Sequence, residues 1–149
     1  MNKPELNRQI ISVQNKTSES IKLSDFLAEF ISANNIPDTI HNDLRLAAEE
    51  AFVNIVNYAF SKQETQTISI EVRCNHNAIS ITFIDEGIAF NPLLAPDINS
   101  GGSTNTNDLS DGGMGIHLIK SLTDKQEYNR INQRNVFTVT KKYSKHYTK

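Results

Sequence analysis

The sequence is poor in cysteine, in long apolar runs and in excess charge. Its only cysteine is Cys74, so no disulfide can form within the chain, and no spacing of Cys or His resembles a zinc site. The first residues lack the apolar stretch of a signal peptide, and no run approaches the roughly 18 apolar residues of a membrane span. These absences predict a soluble cytoplasmic protein that has no membrane partner.

Charge is nearly balanced, with a formal net charge of −2. Direct binding of nucleic acid through bulk electrostatics is therefore not expected. The chain has 149 residues, of which 38% are hydrophobic and 21% charged, and this suits one globular domain over 1–149. Residues 144–149 are predicted to form a short flexible tail.

Hydrophobic periodicity predicts five strands and three helices. Alternation predicts strands at 6–14, 67–74, 78–85, 125–131 and 134–143, and helical spacing predicts helices at 19–34, about 38–60 and 115–124. The predicted fold class is an α/β (α+β) two-layer sandwich, in which helices cover one face of a mixed β-sheet.

One long segment, residues 91–113, has no periodic pattern. It contains two Pro, four Gly and many Ser, Thr, Asn and Asp residues, but few large apolar groups. Structureless stretches of this length inside a compact domain are often lids or binding loops. We therefore predict a lid at about 91–113.

The second predicted helix carries three polar residues where a packing helix would have none. Glu50, Asn54 and Asn57 fall within a wedge roughly 60° wide on a helical wheel. One interpretation is that the wedge is simply the solvated side of the helix. The other is a hard-cation site, because an amide oxygen suits Mg²⁺ and a carboxylate one turn earlier can accept a proton.

Two glycine-containing turns follow. In IDEGIAFNP, Asp85 stands where an apolar strand ends and can accept a hydrogen bond from an amino group such as that of adenine, while Gly87 would let a flat ring approach. In SDGGMGIHLIKSL, Gly112, Gly113 and Gly115 open a helix whose first N–H groups can bind phosphate. Taken singly, an ordinary turn and a flexible linker remain the alternatives.

Together the three segments resemble the sequence boxes of the GHKL ATPase superfamily, and within it the anti-sigma factor serine/threonine kinases of the RsbW type. LAAEEAFVNIVNYAF is similar to the box E-A-x-x-N-x-x-x-H-A-Y, IDEGIAFNP to D-x-G-x-x-F-x-P, and GGMGIHLIKSLTD to G-G-x-G-[IL]-x-[LI]-[IL]. The resemblance covers about residues 10–143 and implies the GHKL (Bergerat) ATP-binding fold. Tyr58 departs from the pattern, because the superfamily often has His there.

The resemblance implies a role for each matching residue. Glu50 would be the catalytic residue, either the general base or the acid that orients the hydroxyl, and Asn54 the Mg²⁺ ligand, while Asn57 would reach the phosphates of ATP. Asp85 would accept the adenine amine, with Gly87 leaving room for the ring. The remaining implied nucleotide contacts are the backbone of Gly112, Gly113 and Gly115 and, on a late strand, Thr138.

The resemblance also implies an activity and partners. RsbW-type kinases transfer the γ-phosphoryl group of ATP to a STAS-domain anti-sigma antagonist and sequester a sigma factor, and they are expected to be homodimers. One departure favours an alternative: no Lys or Arg occurs between Cys74 and Ile119. Because phosphoryl transfer normally uses a cation near the γ-phosphate, the chain could instead be a nucleotide-binding regulatory module without kinase turnover. The candidates for that cation are Lys62, Lys120 and a residue of a partner protein.

Overall fold

The computed structural model describes residues 7–61, 64–94 and 113–144, with only the backbone of residues 113–116. Five strands and three helices lie in these ranges. The strands are β1 (Asn7–Gln14), β2 (Thr67–Cys74), β3 (Ala78–Asp85), β4 (Lys125–Ile131) and β5 (Arg134–Lys142), and the helices are α1 (Ser20–Ala33), α2 (His41–Ala59) and α3 (Gly113–Leu122). The predicted order of elements is confirmed.

The five strands form one sheet in the order β1-β2-β3-β5-β4, and every neighbouring pair is antiparallel. The two-layer α+β fold is thus confirmed, but the prediction of a mixed sheet was wrong. The reason lies in the connections. Two helices connect β1 to β2, and the chain returns through β2 in the direction opposite to β1. Strands β3 and β4 run parallel to each other, but β5 lies between them and is antiparallel to both.

Alternation along the strands separates a buried face from an open one. On β3 the side chains of Ile79, Ile81 and Phe83 are fully buried against the helices, and Asp85 continues this phase at the end of the strand. The core extends into α1 and α2, where the largest buried side chains include Leu23, Leu27, Leu44, Phe52 and Ile55. Asp85 therefore ends a core-facing row and lies under the helical layer.

The β4–β5 hairpin has a two-residue turn at the position that the sequence predicted. Asn132 and Gln133 have φ values of 52° and 67°. Two successive positive φ angles are typical of the type I′ turn, whose twist matches that of the flanking strands. The turn fixes the register in which Arg130 lies opposite Asn135, two residues that matter for the site described next.

Candidate functional site

Asp85 is a buried carboxylate, with only 2% of its surface exposed. Its Oδ1 accepts hydrogen bonds from the backbone N–H of Gly87 and from Nδ2 of Asn135, both at 2.8 Å. Its Oδ2 is buried and has no hydrogen-bond partner in the part of the chain that the structure describes. Burial raises the pKa of Asp85, and the two hydrogen bonds and the charge of Arg130 oppose this rise. The site therefore offers one free acceptor oxygen on a fixed carboxylate.

Asn135 is the site residue that sequence reasoning missed. It lies opposite Asp85 in the β3–β5 register and is 3% exposed. Its Nδ2 donates to Asp85 and also, at 2.8 Å, to the carbonyl of Ile88. A signal was present in the sequence, because Asn135 is in phase with the apolar Phe137 and Val139. An amide in a buried row needs partners, and this could have pointed to a polar site.

Gly87 lies against the end of α2. A Cβ atom on Gly87 would be 2.3 Å from the carbonyl oxygen of Ala59, the last residue of that helix. The same carbonyl accepts a hydrogen bond from the backbone N–H of Ile88 at 2.9 Å. The rings of Tyr58 and Phe90 also meet, with centroids 5.4 Å apart. The absence of a side chain at Gly87 thus serves close packing of the turn on α2, a reason different from the predicted clearance for a ring.

Replacing Gly87 with alanine should therefore destabilise the fold itself. The added methyl group would meet backbone atoms that cannot rotate away, and overpacking of this kind costs about 1–3 kcal/mol. Urea unfolding should show the loss without any ligand present. Ala89→Ser, at an exposed position of the same turn, should change the free energy of unfolding by less than about 0.5 kcal/mol. Wild-type stability of Gly87→Ala would contradict the packing role.

The polar wedge of α2 is only partly solvated. Asn54 is 3% exposed, and its Nδ2 has no hydrogen-bond partner among the described residues. Glu50 is half-buried, and burial followed by the negative charge of Glu49 raises its pKa. Glu49 itself pairs with Arg45 at 3.3 Å. Asn57 is exposed, so its predicted contact with phosphates stays a prediction.

The wedge lies on the same helix whose last residue, Ala59, contacts the Asp85 turn. Since Ala59 contacts the turn, Asn54 and Glu50 lie about 7 Å and about 13 Å back along the α2 axis. Within the described ranges no group of three or more His, Cys, Asp or Glu residues could hold a metal ion. A cation beside Asn54 would therefore take most of its ligands from water and from a bound anion, as Mg²⁺ commonly does.

The third predicted segment is described in part. Helix α3 begins at Gly113, includes Gly115 in its first turn and packs against α2. The first N–H groups of such a helix lack intrahelical partners and can bind an anion. Gly112, Lys62 and most of the predicted lid, residues 95–112, lie outside the described residues. Lys120 lies in the last turn of α3, about 10 Å along the axis from its first residue.

Thr138 is not brought to this site. It faces away from the helices, because on β5 the buried side chains are those of Asn135, Phe137 and Val139. The Thr138 hydroxyl instead hydrogen-bonds the Thr82 hydroxyl of β3 at 2.9 Å. The predicted contact of Thr138 with adenine therefore has no support in the structure, and Asn135 holds the position next to Asp85.

Residues 14–141 match the family model described as the histidine kinase-like ATPase domain. The chain belongs to this family. Membership confirms the superfamily that the three sequence boxes predicted, and an ATPase domain implies that the chain binds ATP.

Curated relatives support the RsbW-type resemblance. The chain is 29% identical over 99 residues to the serine/threonine-protein kinase BtrW of Bordetella bronchiseptica, covering 65% of this chain and 67% of that protein. It is 33% identical over 90 residues to the serine-protein kinase RsbW of Halalkalibacterium halodurans, covering 57% and 52%. It is 28% identical over 93 residues to the anti-sigma F factor of Clostridium beijerinckii, covering 58% and 59%. The matches thus span little more than half of the last two relatives.

No helix in the ranges 7–61, 64–94 and 113–144 combines the length and the apolar character needed to cross a bilayer.

Proposed function

We propose that this histidine kinase-like ATPase is a serine/threonine protein kinase that phosphorylates a STAS-domain anti-sigma antagonist and sequesters a sigma factor. The observation that carries the proposal is the buried Oδ2 of Asp85, which has no partner among the described residues. A buried acceptor without a partner is costly, and the amino group of adenine would satisfy it. The names of the relatives support transfer of phosphate to a protein serine or threonine.

Two residues of α2 would serve the phosphoryl group. Nδ2 of the buried Asn54 amide has no hydrogen-bond partner among the described residues, and rotating the amide by half a turn would put its oxygen in that place as a ligand for Mg²⁺. When bound, Mg²⁺ would neutralise charge on the phosphates. Glu50 is half-buried, and burial raises the pKa of its carboxyl, so its carboxylate would be more basic than an exposed one and would take the proton from the attacking hydroxyl.

The remaining contacts would come from the glycine-rich segment. Backbone N–H groups at Gly112, Gly113 and Gly115 would hold phosphate oxygens, because Gly113 begins α3 and Gly115 lies in its first turn. Asn57 would reach the phosphates from the exposed side of α2. We also propose that the kinase acts as a homodimer, as the resemblance implies.

A second candidate function is a nucleotide-binding regulatory module without kinase turnover, acting only by binding a protein partner. The observation that favours it is the absence of Lys and Arg from residue 74 to residue 119. Without a cation near the γ-phosphate, nucleotide binding can persist while transfer is slow.

Mass spectrometry separates these two candidates. The purified protein is incubated with Mg²⁺, ATP and a STAS-domain protein encoded beside it, and both proteins are weighed. A partner heavier by one phosphoryl group supports the kinase, and a control without Mg²⁺ should give no product. If the protein binds ATP tightly and the partner's mass never changes, the regulatory module is the correct function.

A further inference from the structure

The β4–β5 hairpin is tied to the turn that follows Asp85 by a dense set of hydrogen bonds. Arg130 on β4 donates through Nη1 to the carbonyl of Gly87 at 2.9 Å and to Oδ1 of Asn135 at 3.0 Å. Asn135 on β5 donates to Asp85 and Ile88. These contacts connect an edge strand of the sheet to the candidate base site.

The amide of Asn135 can have only one orientation in this network. Its Oδ1 accepts from three donors: the Phe90 backbone N–H at 3.1 Å, the Tyr128 hydroxyl at 2.5 Å and Arg130. Its Nδ2 meets two acceptors, on Asp85 and Ile88. A flipped amide would place an oxygen against two acceptors and an NH₂ group against the N–H groups of Phe90 and Arg130, which cannot accept. Nδ2 is therefore held on Oδ1 of Asp85, and Oδ2 is the oxygen without a partner in the part of the chain that the structure describes.

Within the described ranges, few charged groups act on Asp85. Arg130 is the charged group that acts on its carboxylate, and α2 contributes the carbonyl of Ala59 through its contact with Gly87. The neighbouring Glu86 is exposed and pairs with Arg134 at 3.3 Å. Burial favours the protonated form of Asp85, whereas Arg130 and the donor of Asn135 favour the carboxylate.

We propose that Arg130 and Asn135 are positioning residues for base recognition: they hold the 85–90 turn in place and fix the Asp85 side chain so that Oδ2 is its acceptor for a ligand, which selects a base that carries an amino group. The proposal rests on the function proposed above, because it assumes that the base lies at Asp85. It adds two residues, from a hairpin that none of the three sequence boxes includes.

Calorimetry with ADP and with inosine diphosphate (IDP) tests this role without using activity. IDP has an oxygen where ADP has the amino group. Arg130→Met should weaken ADP binding about tenfold, as expected for losing hydrogen bonds from a charged group, and should lower the preference for ADP over IDP. As the pH is lowered, the ADP affinity of Arg130→Met should begin to fall at a higher pH than that of the wild type. The reason is that Asp85 without Arg130 becomes protonated more readily.

Two further variants complete the test. Arg134→Met removes the other arginine of the hairpin, whose ion pair is with the exposed Glu86, and should leave ADP affinity unchanged. Arg130→Lys keeps the charge and should restore the pH dependence, with ADP affinity still reduced severalfold. If Arg130→Met does not fold, Arg130→Lys takes its place in the test.

The outcomes are distinct. If Arg130→Met, or Arg130→Lys in its place, keeps the wild-type affinity and ADP preference, the positioning role is overturned even where stability falls. A wild-type protein that binds neither ADP nor ATP would instead sink the proposed function itself.

Discussion

Replacing Asp85 with asparagine should abolish binding of adenine nucleotides while leaving the fold intact. The asparagine Oδ1 can still accept the two hydrogen bonds from Gly87 and Asn135. Its NH₂ group, however, would replace the free Oδ2 and face the adenine amine with a donor. Leaving donors unpaired in a desolvated site costs about 1–3 kcal/mol per group, so calorimetry should show ADP affinity reduced by about 100-fold or more.

Asp85→Asn should weaken ADP binding but should not lower the stability of the folded protein. Burial raises the folded-state pKa of Asp85 above its ordinary value, so ionisation of this group costs stability. That cost is absent below the ordinary pKa and grows as pH rises through the folded pKa. Asp85→Asn removes it, and the variant should therefore melt at or above the wild-type temperature at neutral pH.

A control variant and a second nucleotide test whether the effect is specific to Asp85. Glu86→Gln changes the adjacent, exposed carboxylate and should leave ADP binding as it is. In Asp85→Asn the new NH₂ group can donate to the 6-carbonyl oxygen of the IDP base, so the preference for ADP should reverse. Retention of ADP affinity by Asp85→Asn would place the base elsewhere in the molecule.

The sequence predicts the fold well because its strands are regular. The alternation in TISIEVRC and AISITFID requires one buried face, and the structure buries Ile68, Ile70, Ile79 and Ile81 as expected. The alternation of apolar and polar residues does not show which strands pair with each other. The antiparallel sheet and the placement of Asn135 opposite Asp85 follow from the β3–β5 register, a contact between residues 50 positions apart.

The site was predictable to the same extent. A helical wheel groups Asn54 with Asn57, but it cannot say where the wedge meets solvent, and the structure buries the first and exposes the second. Likewise, glycine at position 87 is readable as a need for space, while the neighbour that requires it, Ala59, becomes known only when the turn docks on α2.

Replacing Glu50 with glutamine should abolish phosphoryl transfer and spare nucleotide binding. The amide has the shape of the carboxylate but cannot take a proton, and loss of a general base typically costs about 10²- to 10⁴-fold in rate. Transfer of labelled phosphate from ATP to the STAS-domain partner measures the rate, and ADP calorimetry measures binding. Asp85, and not Glu50, is the residue proposed to accept the hydrogen bond from the adenine amino group. ADP affinity should therefore stay within about threefold of wild type.

The pH dependence makes this prediction specific to Glu50. Burial, followed by the charge of Glu49, raises the pKa of Glu50, and only its ionised form can act as a base. The wild-type rate should therefore increase with pH through that raised pKa. Glu49→Gln is the control: it removes the neighbouring negative charge, which lowers the pKa of Glu50 and should move the acidic limb to lower pH with the plateau rate preserved. A Glu50→Gln variant that labels the partner at the wild-type rate would show that another group accepts the proton.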